Sequence, residues 1–533
     1  MRLIYSLFFL LLGLTAQAQN SCTTRYKQRT FNSIQIFRDV VYSENAPKLL
    51  TASLGIETTY GLDLKMDIFM PPPTDTVSKR PVIVLAHGGG FVDIAFMGGT
   101  VLVGTMANED IQALADTLAH WGFVTASIQY RTGFDVLSGT SIKRAVWRGS
   151  QDLSAATRFF RKNATWFGID PNRVFVGGSS AGAFACMHAN FVDGNERIPE
   201  SLEQTPIVMT DLGQLHSRPV VQLTGFNPFT GSNVLGNDVD SIAQGIASFW
   251  GAIADPAMLS GNNRAPVIMF HGSNDLIVDA ECARPFSSLI LVAPTTCGSI
   301  IMDTIFNISG HLHETYIESG EGHEYWGALN GDWMPSGPNA YWADMIQKTS
   351  NFFYKIMRPA TPTIIGAGGV APSSSHTYSI QSPTPNTKYC WTAVNGTIIN
   401  SANPYASTVS VVWSANTGIA RLKVTALDRA EVGSLERIYN VNISNLLSVN
   451  PLEEAKTLQI SPNPNNGQFQ LQLPHNDGHL RIVDLTGKTV FSQNFNGNFS
   501  EFIDIQLGGI AAGLYIVQYQ AQNQVYTQKL ILK

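Results

Sequence analysis

Apolar and polar residues alternate between Leu62 and Phe69. Leu62, Leu64, Met66 and Ile68 fall on one face, and Asp63, Lys65 and Asp67 on the other. A period of two predicts a half-buried strand. Pro71-Pro72-Pro73 ends it, because proline cannot donate to a ladder. After Arg80-Pro81 the pattern changes. Val82-Ile83-Val84-Leu85-Ala86 is apolar without a break, as in a strand covered on both faces. Glu109 to His120 predicts a helix and Phe123 to Tyr130 a strand. Ser150 to Trp166 predicts a helix with Leu153, Ala156, Phe160 and Ala164 along one face. Arg173 to Val176 reads as a strand that runs through a tight turn into a helix at Ala183. Val220 to Thr224 and Pro266 to Phe270 predict further strands, and Tyr341 to Met357 an amphipathic helix. Phe249, Trp250 and Met258 lie between those strands and are expected to cap the site.

Alternating strands and helices imply parallel crossovers. The expected class is therefore α/β, with a doubly wound, mostly parallel sheet whose ligands sit at the carboxyl ends of its strands. Pro359-Ala360-Thr361-Pro362 reads as a linker. Beyond it, short strands such as Thr387 to Ala393, Thr408 to Trp413 and Arg421 to Ala426 predict a small β-sandwich with Trp391 in its core. Leu458 to Lys533 predicts a second β-rich unit. At the other end, Arg2, the apolar run Leu3 to Leu14 and Ala16-Gln17-Ala18 form the pattern of a secretory signal peptide. That run is shorter than the roughly 20 residues of a membrane span. The expected segments are 1–18, 19–358, 359–447 and 452–533.

A net charge of -6 with no basic stripe argues against nucleic acid as a partner. No later segment is apolar enough to span a bilayer, so no membrane span is expected once the signal is removed. The five cysteines show no C-x-x-C spacing. Cys282 and Cys297 close a short loop, and two readings stay open, a disulfide or two separate thiols. Cys186 is expected to pack in the core. Asn20-Ser21 does not complete a lipid-attachment pattern before Cys22, and the partners of Cys22 and Cys390 are left open.

The chemistry concentrates at Gly178-Ser179-Ser180-Ala181-Gly182, which fits G-x-S-x-G between a strand and a helix. A serine hydroxyl is a poor nucleophile until a base takes its proton. His323, after a glycine-rich turn, supplies a base. Asp275, after the strand Pro266 to Phe270, supplies an acid that would orient the imidazole without taking the proton itself. Asp279 and Asp303 are competing acids. The backbone N–H groups of Gly89, Gly90 and Ala181 would form an oxyanion hole. His87 is expected to shape its loop by hydrogen bonding. His311, His313 and Glu314 have a spacing that metals use, but no further ligand accompanies them, so they are expected to be exposed loop residues. Phe91, Trp250 and Trp326 are candidates for lining a pocket.

Residues 62–357 resemble an α/β-hydrolase of the carboxylesterase type. The resemblance rests on His87-Gly88-Gly89-Gly90-Phe91, Tyr130-Arg131, Gly168-Ile169-Asp170-Pro171-Asn172-Arg173-Val174, the Ser180 motif, Asp275 and Gly322-His323. It implies hydrolysis of carboxylic esters through an acyl-enzyme, with no metal and no cofactor. Ser179 stands where large carboxylesterases carry Glu or Asp, which points toward small secreted esterases of the feruloyl or acetyl-xylan kind. A small-molecule or polysaccharide-linked ester is the implied substrate. Residues 458–533 resemble a C-terminal sorting domain of the type IX secretion system, on Ser461-Pro462-Asn463-Pro464, Asn466-Gly467, Asp484-Leu485-Thr486-Gly487-Lys488, Gly513-Leu514-Tyr515 and Lys529-Leu530. That implies the type IX machinery as a partner and a secreted or outer-surface location. The middle segment resembles immunoglobulin-like or PKD-like spacers. Two other readings stand beside the esterase: a serine peptidase of the prolyl-peptidase kind, and an inert adhesion or glycan-binding protein on a hydrolase fold.

Overall fold

The computed structural model describes residues 22–50, 58–93, 103–192, 215, 218–224, 231–236, 238–260, 265–286, 290–399, 405–445, 458–474, 477–495, 503–521 and 524–533. The expected signal peptide, 1–18, lies outside them.

Eight strands make the main sheet: β1 (Gln35–Leu50), β2 (Thr58–Met70), β3 (Arg80–Ala86), β4 (Val124–Ile128), β5 (Ile169–Ser179), β6 (Ile246–Phe249), β7 (Val267–Gly272) and β8 (His313–Glu318). Their order is β1-β2-β4-β3-β5-β6-β7-β8. β1–β2 and β2–β4 pair antiparallel, and every later pairing is parallel. The longer helices among the described residues are α1 (Glu109–His120), α2 (Gly139–Lys162), α3 (Ala181–Phe191), α4 (Ser299–Ser309) and α5 (Ala340–Met357).

The unbroken apolar run of β3 explains its central place. Val82, Val84 and Ala86 enter one core, with Phe159 and Phe160 of α2 and Ala185 of α3. Ile83 and Leu85 enter the other, with Leu114 of α1 and Phe352 of α5. Both cores are apolar and buried, so neither face of this strand tolerates an unpaired polar residue.

Several expectations need correcting. The helix expected over 150–166 begins at Gly139, where the Ser138 side chain accepts from the Ser141 N–H, and ends at Lys162. The strand at Val220–Leu223 is outside the main sheet and pairs antiparallel with Gly231–Val234. Phe249 ends β6 and Trp250 follows it into the core. Of the three expected capping residues, Met258 lines the cavity beside Ser180, whereas Phe249 and Trp250 are core residues.

The described chain divides into two compact units. One takes in the chain up to Gly366 with His376–Val411 and Arg421–Tyr439; the other holds Ala367–Ser375, Val412–Ala420 and Asn440–Lys533. Much of the middle β-segment therefore belongs with the first unit. Four links account for this: a Cys22–Cys390 disulfide, a Tyr26 hydroxyl donating to Ala430 O at 2.9 Å, an Arg173–Asp428 ion pair and a Gly433 N–H donating to the Tyr354 hydroxyl at 2.6 Å. Within this unit Lys388–Val394 pairs antiparallel with Gly418–Leu427 along residues 421–427. Trp391 is buried there, and its Nε1 donates to Ala406 O. The second unit contains a three-stranded and a four-stranded sheet between residues 459 and 532, packed through Leu471, Ile482, Val517 and Leu530.

Candidate active site

β5 delivers Ser180 through a turn that only small neighbours allow. Ser180 has φ 53 and ψ -117, a left-handed conformation that costs a non-glycine residue energy. A Cβ on Gly178 would stand 2.3 Å from the Gly182 carbonyl carbon. One on Gly182 would stand 2.1 Å from Ala86 O. The glycines of the motif thus let the first turn of α3 press against the end of β3. The Ser180 N–H donates to Phe249 O at 2.9 Å, and the Trp250 indole N–H donates to Ser179 Oγ at 3.0 Å. Both bonds hold the strained residue from below.

The acid and the imidazole come from beyond the ends of β7 and β8. After β7, Asp275 Oδ1 accepts from the N–H groups of Ile277 and Val278, each at 2.9 Å. Its Oδ2 lies 2.7 Å from His323 Nδ1. His323 follows β8, and its Nε2 lies 2.9 Å from Ser180 Oγ. The two loops are tied by an Asn274 N–H donating to Glu321 O at 2.9 Å. Burial by itself would raise the Asp275 pKa. Hydrogen bonding with His271 and His323 outweighs it and holds the carboxyl well below the usual range. His271 Nε2 is 3.4 Å from Asp275 Oδ2 and 2.8 Å from Val278 O. An ionised Asp275 requires His323 to carry its proton on Nδ1, which leaves Nε2 free to accept from Ser180.

The glycine loop after β3 faces the same place. Gly89 and Gly90 have φ 96 and 59, and Gly90, Ser180 and Ala181 line one cavity. His87 shapes this loop as expected: its Nδ1 is 2.7 Å from Gly88 O, and its ring stacks on Tyr130 at 4.3 Å. The Tyr130 hydroxyl donates to His87 O at 2.8 Å. Arg131 is fully buried in a bidentate pair with Asp152, which ties the end of β4 to α2.

The competing acids are elsewhere. Asp279 Oδ1 accepts from the Glu281 N–H, and Asp303 pairs with His313 Nε2 at 3.1 Å. His311 and His313 are not exposed loop residues. His311 is half-buried with Nε2 3.0 Å from Ala265 O, and His313 opens β8 at the sheet edge. Among the described residues no cluster of His, Cys, Asp and Glu could hold a metal ion. Phe91 lines the cavity, whereas Trp250 and Trp326 are core residues packed on each other at 4.5 Å.

Two features escaped the sequence. Phe286, on the segment closed by a Cys282–Cys297 disulfide, lies 3.2 Å from where a Cβ on Gly90 would be. Glu324, beside His323, is buried at φ 52, and its Oε2 accepts from the Gly331 N–H at 3.3 Å. Only the glycine-rich turn before it hinted at a constrained backbone.

Residues 66–289 match the BD-FAE family model, and residues 459–533 match the secretion system C-terminal sorting domain. Carboxylesterase 3B of Mus musculus is 37% identical over 120 residues, 22% of this chain and 19% of that protein. A probable isoprenylcysteine alpha-carbonyl methylesterase of Arabidopsis thaliana is 26% identical over 248 residues, 43% of this chain and 50% of that protein. The chain thus spans half or less of the length of these relatives. Among solved structures, a native esterase Est2 of the Planctomycetes species Thermogutta terrifontis shares 18% identity with a TM-score of 0.35, over 56% of this chain and 89% of that one. The architecture is an α/β-hydrolase fold followed by β-sandwich segments. These matches agree with the sequence resemblances: residues 66–289 are similar to an esterase family, part of the chain is similar to carboxylesterases, and residues 459–533 are similar to a secretion sorting domain.

Proposed function

We propose that the protein is an exported serine hydrolase that cleaves carboxylic esters through an acyl-enzyme. The observation that carries this reading is the hydrogen-bonded chain Asp275–His323–Ser180 opening on a cavity that also presents Gly90 and Ala181. His323 Nε2 takes the Ser180 proton as Oγ attacks the ester carbonyl. The N–H groups of Gly89, Gly90 and Ala181 hold the oxyanion; each such donor is typically worth about a hundred- to a thousand-fold in rate. The imidazolium, steadied by Asp275, gives its proton to the departing alcohol. It then takes a proton from water, whose oxygen attacks the acyl carbonyl, and returns that proton to Ser180 as the acid leaves. The sorting domain supports export through the type IX machinery, with the signal pattern at 1–18 as the first address.

Ser180→Ala tests the reading. Hydrolysis of p-nitrophenyl butyrate and labelling by a fluorophosphonate probe should both vanish. Undiminished turnover in that variant refutes it, and an unlabelled, inert wild-type chain favours the adhesion reading instead.

A further inference from the structure

We propose that the cavity beside Ser180 is an elongated trench for a medium-length, unbranched apolar acyl chain. This rests on the ester-hydrolase reading and goes beyond it by naming the group that the site accepts.

The trench follows α3. Ala181, Phe184 and His188 line it at steps of three and four residues, which is one face of a helix, and Val192, just past the helix end, continues the wall. The eleven residues of α3, Ala181–Phe191, span about 16 Å leading away from the nucleophile. α2, which packs on α3, contributes Ile142, Val146 and Trp147 to the lining. At the far end Trp147 and Val192 form a separate apolar cluster with Leu215, against which Met258 packs. The third wall is Phe286, Ile290, Ala293 and Pro294, whose stem is closed by Cys282–Cys297.

Size and chemistry agree. The cavity holds about 400 Å³, within the range of small-molecule sites. An acetyl methyl fills on the order of one water's share, about 30 Å³, and leaves most of the trench empty. A straight chain lying along the helix fills it. The one buried imidazole in the wall is already engaged. His188 Nδ1 donates to Phe184 O at 2.7 Å, and Nε2 accepts from the Ala254 N–H at 3.1 Å. Its ring therefore offers a flat face and no free hydrogen-bonding atom. The charged lining groups, Lys143 and Asp255, are exposed at the rim. Apart from Thr295 and Thr296, the rest of the lining away from Ser180 is largely apolar, so a ring hydroxyl carried along the α3 wall would meet mostly carbon and lose its hydrogen bonds to water, which is costly.

The test uses the full chain and p-nitrophenyl esters from acetate to decanoate, with methyl ferulate as competitor. The kcat/KM should rise about four-fold per added methylene until the trench is full. Octanoate should inhibit competitively at concentrations at which acetate does not. The octanoyl ester should outcompete the feruloyl ester by about ten-fold or more. Val192→Phe, at the far end, should lower the octanoate-to-acetate ratio of kcat/KM by about ten-fold. A flat or falling chain-length series, or ferulate preferred, overturns the trench and leaves the ester reading standing. No turnover of any ester and no fluorophosphonate label overturns both. The octanoate inhibition assay needs no variant, so a Val192→Phe chain that fails to fold leaves the proposal fully exposed.

Discussion

The indole N–H of Trp250 donates to Ser179 Oγ, and both side chains are fully buried. The residue just before the nucleophile therefore acts as a strut. It anchors the elbow to β6, whose Phe249 carbonyl also holds the Ser180 N–H. Ser179→Ala strands a buried donor, at a cost of roughly 1–3 kcal/mol. Urea unfolding should show an earlier midpoint with an unchanged slope, and kcat/KM should fall by less than about ten-fold. Total loss of activity in a folded Ser179→Ala chain would give Ser179 a direct chemical role.

Gly182→Ala should be far more damaging. Its methyl would stand 2.1 Å from Ala86 O, far inside contact distance, so α3 must move off β3. The shift carries Ala181 and Ser180 away from the glycine loop. Loss of about 3 kcal/mol or more of stability is expected from this overpacking, with at least a hundred-fold loss of turnover. Circular dichroism melts alongside ester assays measure both, and near-normal values would show that the elbow tolerates a Cβ.

Glu324 gives stability a pH dependence. Burial is the main cause that raises its pKa; His323 and the Gly331 and Asn330 N–H groups oppose it, and Asp275 adds to it. Asp110, fully buried, is raised too, first by burial and then by Glu324, with Asp332 also contributing. The unfolded chain releases these protons near pH 4, whereas the native chain keeps them to higher pH. The native state then binds more protons, so stability falls as pH rises from about 4 through the raised native pKa values. Glu324→Gln should flatten that decline in Tm against pH. A slope identical to wild type would place the buried proton elsewhere.

The thiol count is a direct chemical test. Cys186 is buried on α3 and its pKa is pushed well up by burial, so it is not a thiolate at neutral pH. Ellman's reagent should find no reactive thiol in the native protein, one after denaturation, and five after denaturation with reduction. Three thiols on denaturation alone would mean that one bridge is absent.

Much of this was legible in the chain. The unbroken run 82–86 marks a central strand because both its faces are apolar and buried, and Ser180 and Asp275, picked out with His323 by their chain order, each stand within hydrogen-bond distance of it in the fold. Short or edge elements were harder. β6 is four residues and passes for a loop beside Trp250. β8 sits at the edge with half-exposed side chains, so His-Glu-Thr-Tyr-Ile-Glu lacks the apolar run of a central parallel strand. Phe286 and the Cys22–Cys390 pairing depend on contacts between distant segments, and no local pattern encodes them.

That last bridge joins positions 368 residues apart, and Ser180, Asp275 and His323 all lie within the span it encloses. The hydrolase is in effect a covalent ring. A protease that nicks a surface loop inside it would yield two pieces that still travel as one particle and separate only in reductant. Outside the cell, where such cuts are frequent, a broken backbone need not mean a dispersed active site.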